Sequence, residues 1–463
     1  MAYGRFTELG TVRPEPCGIL TAPAYSGLVP EFPYSRLRRW PDVEADNLQA
    51  HDATDVLLVE RALALAVPGA EIAVIGDEFG AITLALTDAG LRGIRVHQDL
   101  ATGRRALARN AAELGLGGSV SGNPDEDAVP RGVEGGHAAA GPDRLGFPTP
   151  FVAHELDGGL LSGARLVLLQ LPKSLAELEE IADAVARWAA PDAVLVAGGR
   201  VKHMTLGQNE VLGRSFGRVQ AERAERKSRL LVASEPLPAP AEPPFPVTAD
   251  HDGLTLVAHG GAFAGSRLDI GTRVLLEVLG VGSAQLSKNL GSDADGGRDS
   301  ASAAAGSNDS GGGVRGGGGA LDVIDLGCGT GALAASWALA HPDDRVVATD
   351  RSAAAVASAR ATTAANGLAD RITVTHDDAG SELADAGADV VLLNPPFHLG
   401  TSVHTGAATR LFEAAARLLR PGGELFTVFN SSLGYRGELT RIVGATEQLH
   451  RTAKFTVTRS IRR

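Results

Sequence analysis

The segment that most constrains the fold of this chain is a short apolar run ending in three alternating glycines. The run covers residues 321–326, and the glycines are Gly327, Gly329 and Gly331. Because glycine has no Cβ, such a turn can double back tightly and can pass close to a bound molecule. An Ala-rich stretch follows, so the pattern predicts a strand, a glycine loop and a helix in succession.

The same alternation of strands and helices runs through both halves of the chain. In the second half, the predicted strands are 321–326, 345–349, 372–375, 389–393 and 424–429, and the predicted helices are 332–340, 353–366 and 409–419. In the first half, the predicted strands are 71–75, 93–96, 165–169 and 193–197, with a helix at 177–188. A turn is predicted at 420–423. The chain is therefore expected to adopt an α/β fold with two tandem, doubly wound, mostly parallel sheets.

Three segments of low apolar content organise the chain. The proline-rich stretch 236–246 predicts an extended linker, which divides the chain into residues 1–240 and 241–463. Two further segments are about 117–146, which is rich in Gly, Asp, Glu and Pro, and about 283–319, which is rich in Gly, Ser, Ala and Asp. Since neither can bury enough apolar surface to offset its chain entropy, we expect disordered insertions at the surface.

Composition excludes several classes of protein. Hydrophobic residues make up 44% of the 463 residues, which indicates a globular protein, and no apolar run reaches the length of a membrane span. The net charge of −12 argues against a generic coat on nucleic acid. Only Cys17 and Cys328 are present, and no His, Cys or acidic residues show metal-ligand spacing. We expect a cytoplasmic monomer with no metal and no membrane association.

The glycine loop predicts a site for a nucleoside-bearing cofactor. Asp325 precedes Gly-x-Gly-x-Gly, and this spacing favours S-adenosylmethionine over a dinucleotide, with Asp325 reaching the methionine ammonium directly or through water. Asp350 ends the next strand, where a carboxylate accepts from ribose hydroxyls. Asp378, with Asp377 as the alternative, is placed to accept from the adenine amino group. Each of these aspartates could instead be an ordinary helix N-cap.

Asn394-Pro395-Pro396-Phe397 follows a predicted strand and can clamp a planar amino group. An exocyclic amine is a poor nucleophile because its lone pair is delocalised into the ring. The Asn394 side-chain oxygen and the Pro395 carbonyl can accept its hydrogens, the prolines fix the backbone, and Phe397 can stack on the base. The motif predicts methyl transfer to an amine without a strong general base, and its simplest alternative is an ordinary turn.

Several readings remain open from the motifs alone. The same clamp would serve adenine N6 in nucleic acid or a glutamine amide in a protein. A catalytically inactive RNA-binding module and an NAD-dependent oxidoreductase are less well supported. His398 could contact a base or phosphate, or could equally fix its own loop by hydrogen bonds to the backbone.

With these motifs the chain resembles the bacterial ribosomal RNA guanine-N2 methyltransferases, which carry two tandem methyltransferase-like domains. The likeness covers most of the chain, including residues 37–41, 48–52, 199–202, 227–230 and 263–272. The ending, residues 430–455, is closer to the large-subunit branch, which methylates 23S RNA. The resemblance implies two Rossmann-like class I methyltransferase domains, S-adenosylmethionine as cofactor, ribosomal RNA or a ribosomal subunit as partner, and a backbone near Gly271 that approaches the cofactor.

The first half is expected to be a degenerate copy of the catalytic second half. If Gly80 is aligned with Gly331, Val74 stands where Asp325 does and Glu78 stands where Gly329 does. Residues 170–173, Gln-Leu-Pro-Lys, replace the clamp. We expect this half to dock RNA through Lys173, Arg200, Lys202 and the basic stretch 218–229, with stabilisation of the second half as the alternative role.

Overall fold

The computed structural model describes residues 32–45, 47–117, 150–281, 319–396 and 405–463. The two predicted insertions, about 117–146 and about 283–319, lie outside the described residues except at their ends.

The first half forms one seven-stranded sheet with helices on both faces. Its strands are β1 (Ile72–Ile75), β2 (Ile94–His97), β3 (Phe151–Ala153), β4 (Leu166–Gln170), β5 (Val194–Arg200), β6 (Phe216–Ala221) and β7 (Ser228–Pro236). Its helices are α1 (Ala53–Leu65), α2 (Ala81–Asp88), α3 (Ala101–Leu114), α4 (Gly158–Leu161), α5 (Leu175–Trp188) and α6 (Leu206–Ser215). The order is β3-β2-β1-β4-β5-β7-β6; the first five strands are parallel, and β7 is antiparallel to β5 and β6.

The second half repeats this order after a short hairpin of β8 (Val247–His251) and β9 (Leu254–Ala258). Its strands are β10 (Asp322–Leu326), β11 (Arg345–Asp350), β12 (Ile372–His376), β13 (Ala388–Leu393), β14 (Leu419–Asn430), β15 (Thr446–Arg451) and β16 (Phe455–Ile461), in the order β12-β11-β10-β13-β14-β16-β15. Its helices are α7 (Ile270–Leu279), α8 (Ala332–Ala340), α9 (Ala353–Ala365), α10 (Thr405–Leu418) and α11 (Arg436–Ile442). The predicted tandem α/β fold is confirmed.

The central strands are buried on both faces, as their continuous apolar runs predict. In β13, Val390 through Leu393 are at most 2% exposed. Trp337 and Phe426 lie on one side of the second sheet, in a different core cluster from Phe412 and Phe429. Strand order reverses between β10 and β13, and in such sheets the crevice at the carboxyl ends of those strands is the usual ligand site.

The predicted turn at 420–423 is instead an irregularity within one long strand. Ala388 of β13 pairs with Leu419, whereas Val390 pairs with Glu424, so β14 has three extra residues at this point. Gly422 has a φ of +82°, a backbone conformation that glycine adopts without strain. The strand therefore begins five residues before the predicted Glu424 and absorbs the Pro-Gly-Gly segment as a bulge.

The two halves contact each other where the loop after β2 meets the start of α9. The Asp99 carboxylate accepts from Ser352 Oγ at 3.1 Å and from Ala354 N at 2.9 Å. Backbone hydrogen bonds join Ala101 N to Arg351 O and Ala353 N to Asp99 O, both at 2.8 Å. A residue of the first half therefore caps a helix of the second half, next to the end of β11.

Candidate active site

The glycine loop between β10 and α8 has the open backbone that its sequence predicts. Gly327, Gly329 and Gly331 have φ angles of +77°, +53° and +78°. A Cβ on Gly327 or Gly329 would meet nothing within 4 Å, whereas one on Gly331 would lie 3.1 Å from Ala359. The first two glycines thus leave space for a ligand, and the third allows α8 to pack closely on α9.

Asp350 ties this loop to the end of β11. Its carboxylate accepts from Gly329 N and from Ser352 N, each at 2.9 Å, and burial raises its pKa. Asp350 also lines the adjacent cavity. Asp350 therefore lies at the carboxyl edge of the sheet, where a ligand was predicted. Its hydrogen bond from Gly329 N also fixes the glycine loop.

Asp325 caps the helix after the loop, which was its predicted alternative role, and its contact with the methionine ammonium stays a prediction. The side chain is fully buried, and its Oδ2 accepts from Ala334 N at 3.0 Å at the start of α8. Burial, with a smaller repulsion from Asp350, raises its pKa to about 7. It is absent from the residues that line the cavity, so it supports the loop from beneath.

Asp377 and Asp378 both line the cavity, but each already has a partner. Asp377 pairs with Arg105 of the first half at 2.8 Å and accepts from Ser381 Oγ at 2.6 Å. Asp378 pairs with Arg410 of α10. The Asp377 carboxylate therefore has several partners, whereas the Asp378 carboxylate pairs with one arginine among the described residues.

A cavity of about 300 Å³ lies between the glycine loop and the end of β13. Its walls include the glycine loop, the ends of β11 and β12, the start of α7, and the segment after β13. Lining residues are Phe263, Arg267, Asp269, Thr272, Gly327, Cys328, Gly329, Asp350, Arg351, Asp377, Asp378, Asn394, Pro395, Pro396 and Arg410. The cavity occupies the predicted crevice and joins the two sequence motifs.

Asn394 lines this cavity, and its amide is held at the start of α7. Its Nδ2 donates to Asp269 Oδ2 at 3.0 Å and to Thr272 Oγ1 at 2.9 Å. Its Oδ1 is buried and has no hydrogen-bond partner among the described residues. Because buried polar atoms are nearly always paired, an orphaned acceptor at a cavity wall indicates a ligand donor.

Of the other residues predicted for the site, the structure describes Pro395, Pro396 and Gly271. Pro395 is buried, Pro396 is exposed, and both line the cavity. Phe397 and His398 lie outside the described residues. Gly271 does not line the cavity; a Cβ there would lie 3.4 Å from Asn394 Oδ1, so this glycine makes room for the amide.

The matching loop of the first half carries a buried aromatic side chain, and a cavity of about 240 Å³ lies beside its Gly76. Phe79 is buried in the core, and the Arg39 guanidinium lies 4.5 Å from the centre of its ring. Asp77 accepts from Ile82 N and Thr83 N, so it caps α2 as Asp325 caps α8. The alignment that placed Val74 opposite Asp325 missed this, because the carboxylate lies three residues further along the chain.

The cations predicted to dock RNA lie at the carboxyl edge of the first sheet. Lys173 follows β4 and Lys202 follows β5; both are exposed. Arg200 is half-buried, with Asp52 3.9 Å away. In the basic stretch 218–229, Arg226 pairs with Glu60 at 2.9 Å, so part of the positive charge there is already balanced.

Four residues of the site were not found from the sequence: Asp269, Thr272, Arg410 and Arg105. The first two could have been inferred, since an Asp-x-x-Thr pair at a helix start presents side-chain oxygens on one face. Arg410 and Arg105 carried no such signal, because each reaches its partner from a helix distant in sequence.

Two family models match the chain. The RLMG N-terminal domain model matches residues 29–133 and 153–237, and the methyltransferase small domain model matches residues 319–459. A ribosomal RNA large subunit methyltransferase G of Pseudomonas fluorescens is 32% identical over 92% of this chain and 98% of its own. A protein of the same name from Streptomyces avermitilis is 31% identical over 92% and 97%.

The chain belongs to the ribosomal RNA large subunit methyltransferase G family. This confirms the predicted resemblance and its large-subunit branch. Among solved structures, the T. thermophilus 16S rRNA N2 methyltransferase RsmC, in complex with AdoMet and guanosine, aligns with a TM-score of 0.61 and 22% identity, over 89% of this chain and 92% of that chain. That likeness supports the tandem fold of the family member described here.

No described helix has the length and apolar character needed to cross a membrane. No group of three or more His, Cys, Asp or Glu side chains in the described ranges is arranged to hold a metal ion.

Proposed function

We propose that this protein transfers a methyl group from S-adenosylmethionine to the exocyclic N2 amine of a guanine in 23S ribosomal RNA. The observation that carries the proposal is the buried, unpartnered Oδ1 of Asn394 on the wall of a cavity bounded by an open glycine loop. The wall formed by the glycine loop suits a nucleoside-bearing cofactor. The wall that contains Asn394 offers a hydrogen-bond acceptor to an amine.

The residues of the loop fit S-adenosylmethionine. Gly327 and Gly329 leave the space that side chains would otherwise fill, and Asp350 fixes the loop and presents a carboxylate to the same cavity. Asp378 can accept from the adenine amine if Arg410 releases it. When bound, S-adenosylmethionine supplies a methyl group on a positively charged sulfur, which is a good electrophile.

Asn394 and the Pro395 carbonyl orient the accepting amine. Both accept hydrogen bonds from the amine, which favours a more pyramidal nitrogen and directs its lone pair into the cavity. Alignment of the two reacting groups supplies much of the rate gain. No strong general base is needed, since the amine becomes a strong acid once methylated. Phe397 is proposed to stack on the base, and His398 to contact it or a neighbouring phosphate.

The relatives favour rRNA over the alternatives that the clamp leaves open. Adenine N6 and a glutamine amide present similar planar amines, whereas the curated relatives are named as large-subunit rRNA methyltransferases. A base within paired RNA must first be turned out of its stack to enter the cavity.

The two halves are proposed to divide the work. Residues 241–463 carry catalysis, and residues 1–240 dock RNA phosphates through Lys173, Arg200 and Lys202, which lie at one edge of the first sheet. We further propose a cytoplasmic monomer; sedimentation of the purified protein would test the monomer directly.

The direct test uses ribosomal RNA from a strain that lacks the gene. Incubation with the purified protein and S-adenosylmethionine should yield N2-methylguanosine in 23S RNA, detected by nucleoside mass spectrometry. Methylated adenosine, or methylation confined to 16S RNA, would contradict the assignment of substrate.

A further inference from the structure

The carboxamide of Asn394 is held in one of its two possible orientations. An amide can turn by 180° with almost no change of shape, exchanging its oxygen for its NH2 group. Here the NH2 group faces Asp269 Oδ2 at 3.0 Å and Thr272 Oγ1 at 2.9 Å. An ionised carboxylate can only accept, so this neighbour admits the NH2 group and rejects the oxygen. The oxygen is left without a partner among the described residues, in a side chain that lines the cavity.

The two partners of the amide are themselves fixed. Asp269 is the N-cap of α7, and its Oδ2 also accepts from Thr272 N at 3.1 Å. Gly271 lies between them, and a Cβ there would lie 3.0 Å from Asp269 Oδ2 and 3.2 Å from the Phe455 ring. Residues 269–272 at the start of α7 are therefore tightly packed against the end of β13.

The first half of the molecule contains a related contact. Gln170 ends β4, the strand that corresponds to β13, and its Nε2 donates to Asp55 Oδ1. Asp55 lies in the first turn of α1, which precedes β1 as α7 precedes β10. An acid at the start of the preceding helix thus holds the amide at the end of the fourth strand in both halves.

We infer that Asp269 and Thr272 are positioning residues for the reaction. They hold the Asn394 amide so that Oδ1, and not the NH2 group, meets the substrate. If the amide turned, its NH2 hydrogens would face the hydrogens of the incoming amine, and the acceptor would be lost. This inference rests on the proposed function, because it requires an amine substrate in the cavity.

Conservative variants separate this role from folding. Thr272→Val keeps the shape and removes the hydroxyl acceptor, while Thr272→Ser keeps the hydroxyl. Asp269→Asn retains a good N-cap for α7 but no longer distinguishes the two amide orientations. We expect kcat to fall on the order of tenfold in Thr272→Val and at least as much in Asp269→Asn, the effect of losing about one hydrogen bond. Thr272→Ser should restore kcat to near wild type.

The same variants should bind S-adenosylmethionine with nearly wild-type Kd and should melt at nearly the wild-type temperature. Wild-type kcat in both Asp269→Asn and Thr272→Val would overturn the inference, as would a rise in the Kd for S-adenosylmethionine that matches the loss of kcat. If the wild-type protein formed no N2-methylguanosine, the proposed function itself would fail, and the inference with it. If wild type were active, Asn394→Ala inactive and these variants fully active, the inference alone would fail.

Discussion

At the scale of single residues, the site depends on atoms that the fold leaves without partners. Gly327 and Gly329 leave open space beside the loop, and Asn394 leaves an acceptor oxygen unpaired. Both features are costly for a folded chain, since glycine loses more backbone entropy than other residues and a buried orphan acceptor is rarely tolerated. Their presence on facing walls of one cavity is therefore best explained by ligands that fill the space and pair with the oxygen.

The first prediction concerns the orphan oxygen. Asn394→Ala should lower kcat by about 10² to 10³-fold, the range expected when one oriented polar group is removed from a reacting centre. The Kd for S-adenosylmethionine, measured by calorimetry, should stay nearly unchanged, because the loop and Asp350 are untouched. Gln170→Ala, which alters the corresponding amide of the first half, serves as the control and should retain turnover. Equal weakening of cofactor binding and kcat in Asn394→Ala would contradict this assignment.

The second prediction concerns the buried Asp325. Burial raises the pKa of Asp325 in the folded protein to about 7 from the ordinary 3.8 of an aspartate, so the folded protein holds a proton that the unfolded chain releases between these values. The contribution of this proton to stability is complete below about pH 4 and declines as pH rises toward 7, by about 1.4 kcal/mol per pH unit. Asp325→Asn lacks this term.

Thermal melting of both proteins from pH 4 to pH 8 tests the claim. The melting temperature of wild type relative to Asp325→Asn should decrease as pH rises and level off above about pH 7. A constant difference across this range would show that Asp325 is ionised in the folded protein.

At the scale of secondary-structure elements, the sequence specified most of the architecture. The apolar runs of β1, β4, β10 and β13, with the glycine turns after β1 and β10, were sufficient to predict two tandem α/β sheets. Parallel strands that are buried on both faces need a continuous apolar sequence. The bulge in β14 was read as a turn, since Pro-Gly-Gly predicts a local bend but not whether pairing continues beyond it.

The parts of the site that escaped prediction are those made by long-range side-chain contacts. Arg410 of α10 pairs with Asp378, 32 positions away in sequence. Arg105 reaches Asp377 across 272 positions of sequence. Local propensity carries no information on such a pair, so these contacts required coordinates.

The third prediction follows from that contact between α3 and the cofactor cavity. Arg105 Nη2 pairs with Asp377 Oδ1, a buried carboxylate on the cavity wall. Arg105→Ala should raise the Kd for S-adenosylmethionine by about fivefold or more, the lower range of coupling between linked sites. Arg109→Ala removes a neighbouring arginine of α3 that pairs with Glu113 on the surface, and it should leave the Kd unchanged. Equal effects of the two changes would indicate general loosening of α3.

At the scale of the whole molecule, the two halves share one strand order but differ in the loop that follows the first strand of each sheet. In the second half the loop after the first strand has three glycines with positive φ, whereas the corresponding loop of the first half carries the buried Phe79, whose ring lies against Arg39. The first half nevertheless contributes Asp99 and Arg105 to the second, and Arg105 pairs with Asp377 on the wall of the cavity. Its exposed cations Lys173 and Lys202 lie at the carboxyl edge of its sheet.

The fourth prediction tests those cations as an RNA surface. Lys173→Glu combined with Lys202→Glu should weaken binding to 23S RNA and make its dependence on salt shallower by about one unit per lost phosphate contact. Arg165→Glu combined with Arg345→Glu gives the same change in net charge at the opposite edge of the sheets and should have a smaller effect. Unchanged affinity in the first pair would leave the first half with a structural role only.

The most direct test of the central claim is a crystal structure with S-adenosylhomocysteine and guanosine. We predict that the cofactor product lies beside Gly327 and Gly329, and that the guanine N2 lies about 2.7–3.2 Å from Asn394 Oδ1, the ordinary range for such a hydrogen bond. A cofactor bound at the loop of residues 76–80 in the first half, or a guanine whose N2 points away from Asn394, would contradict it.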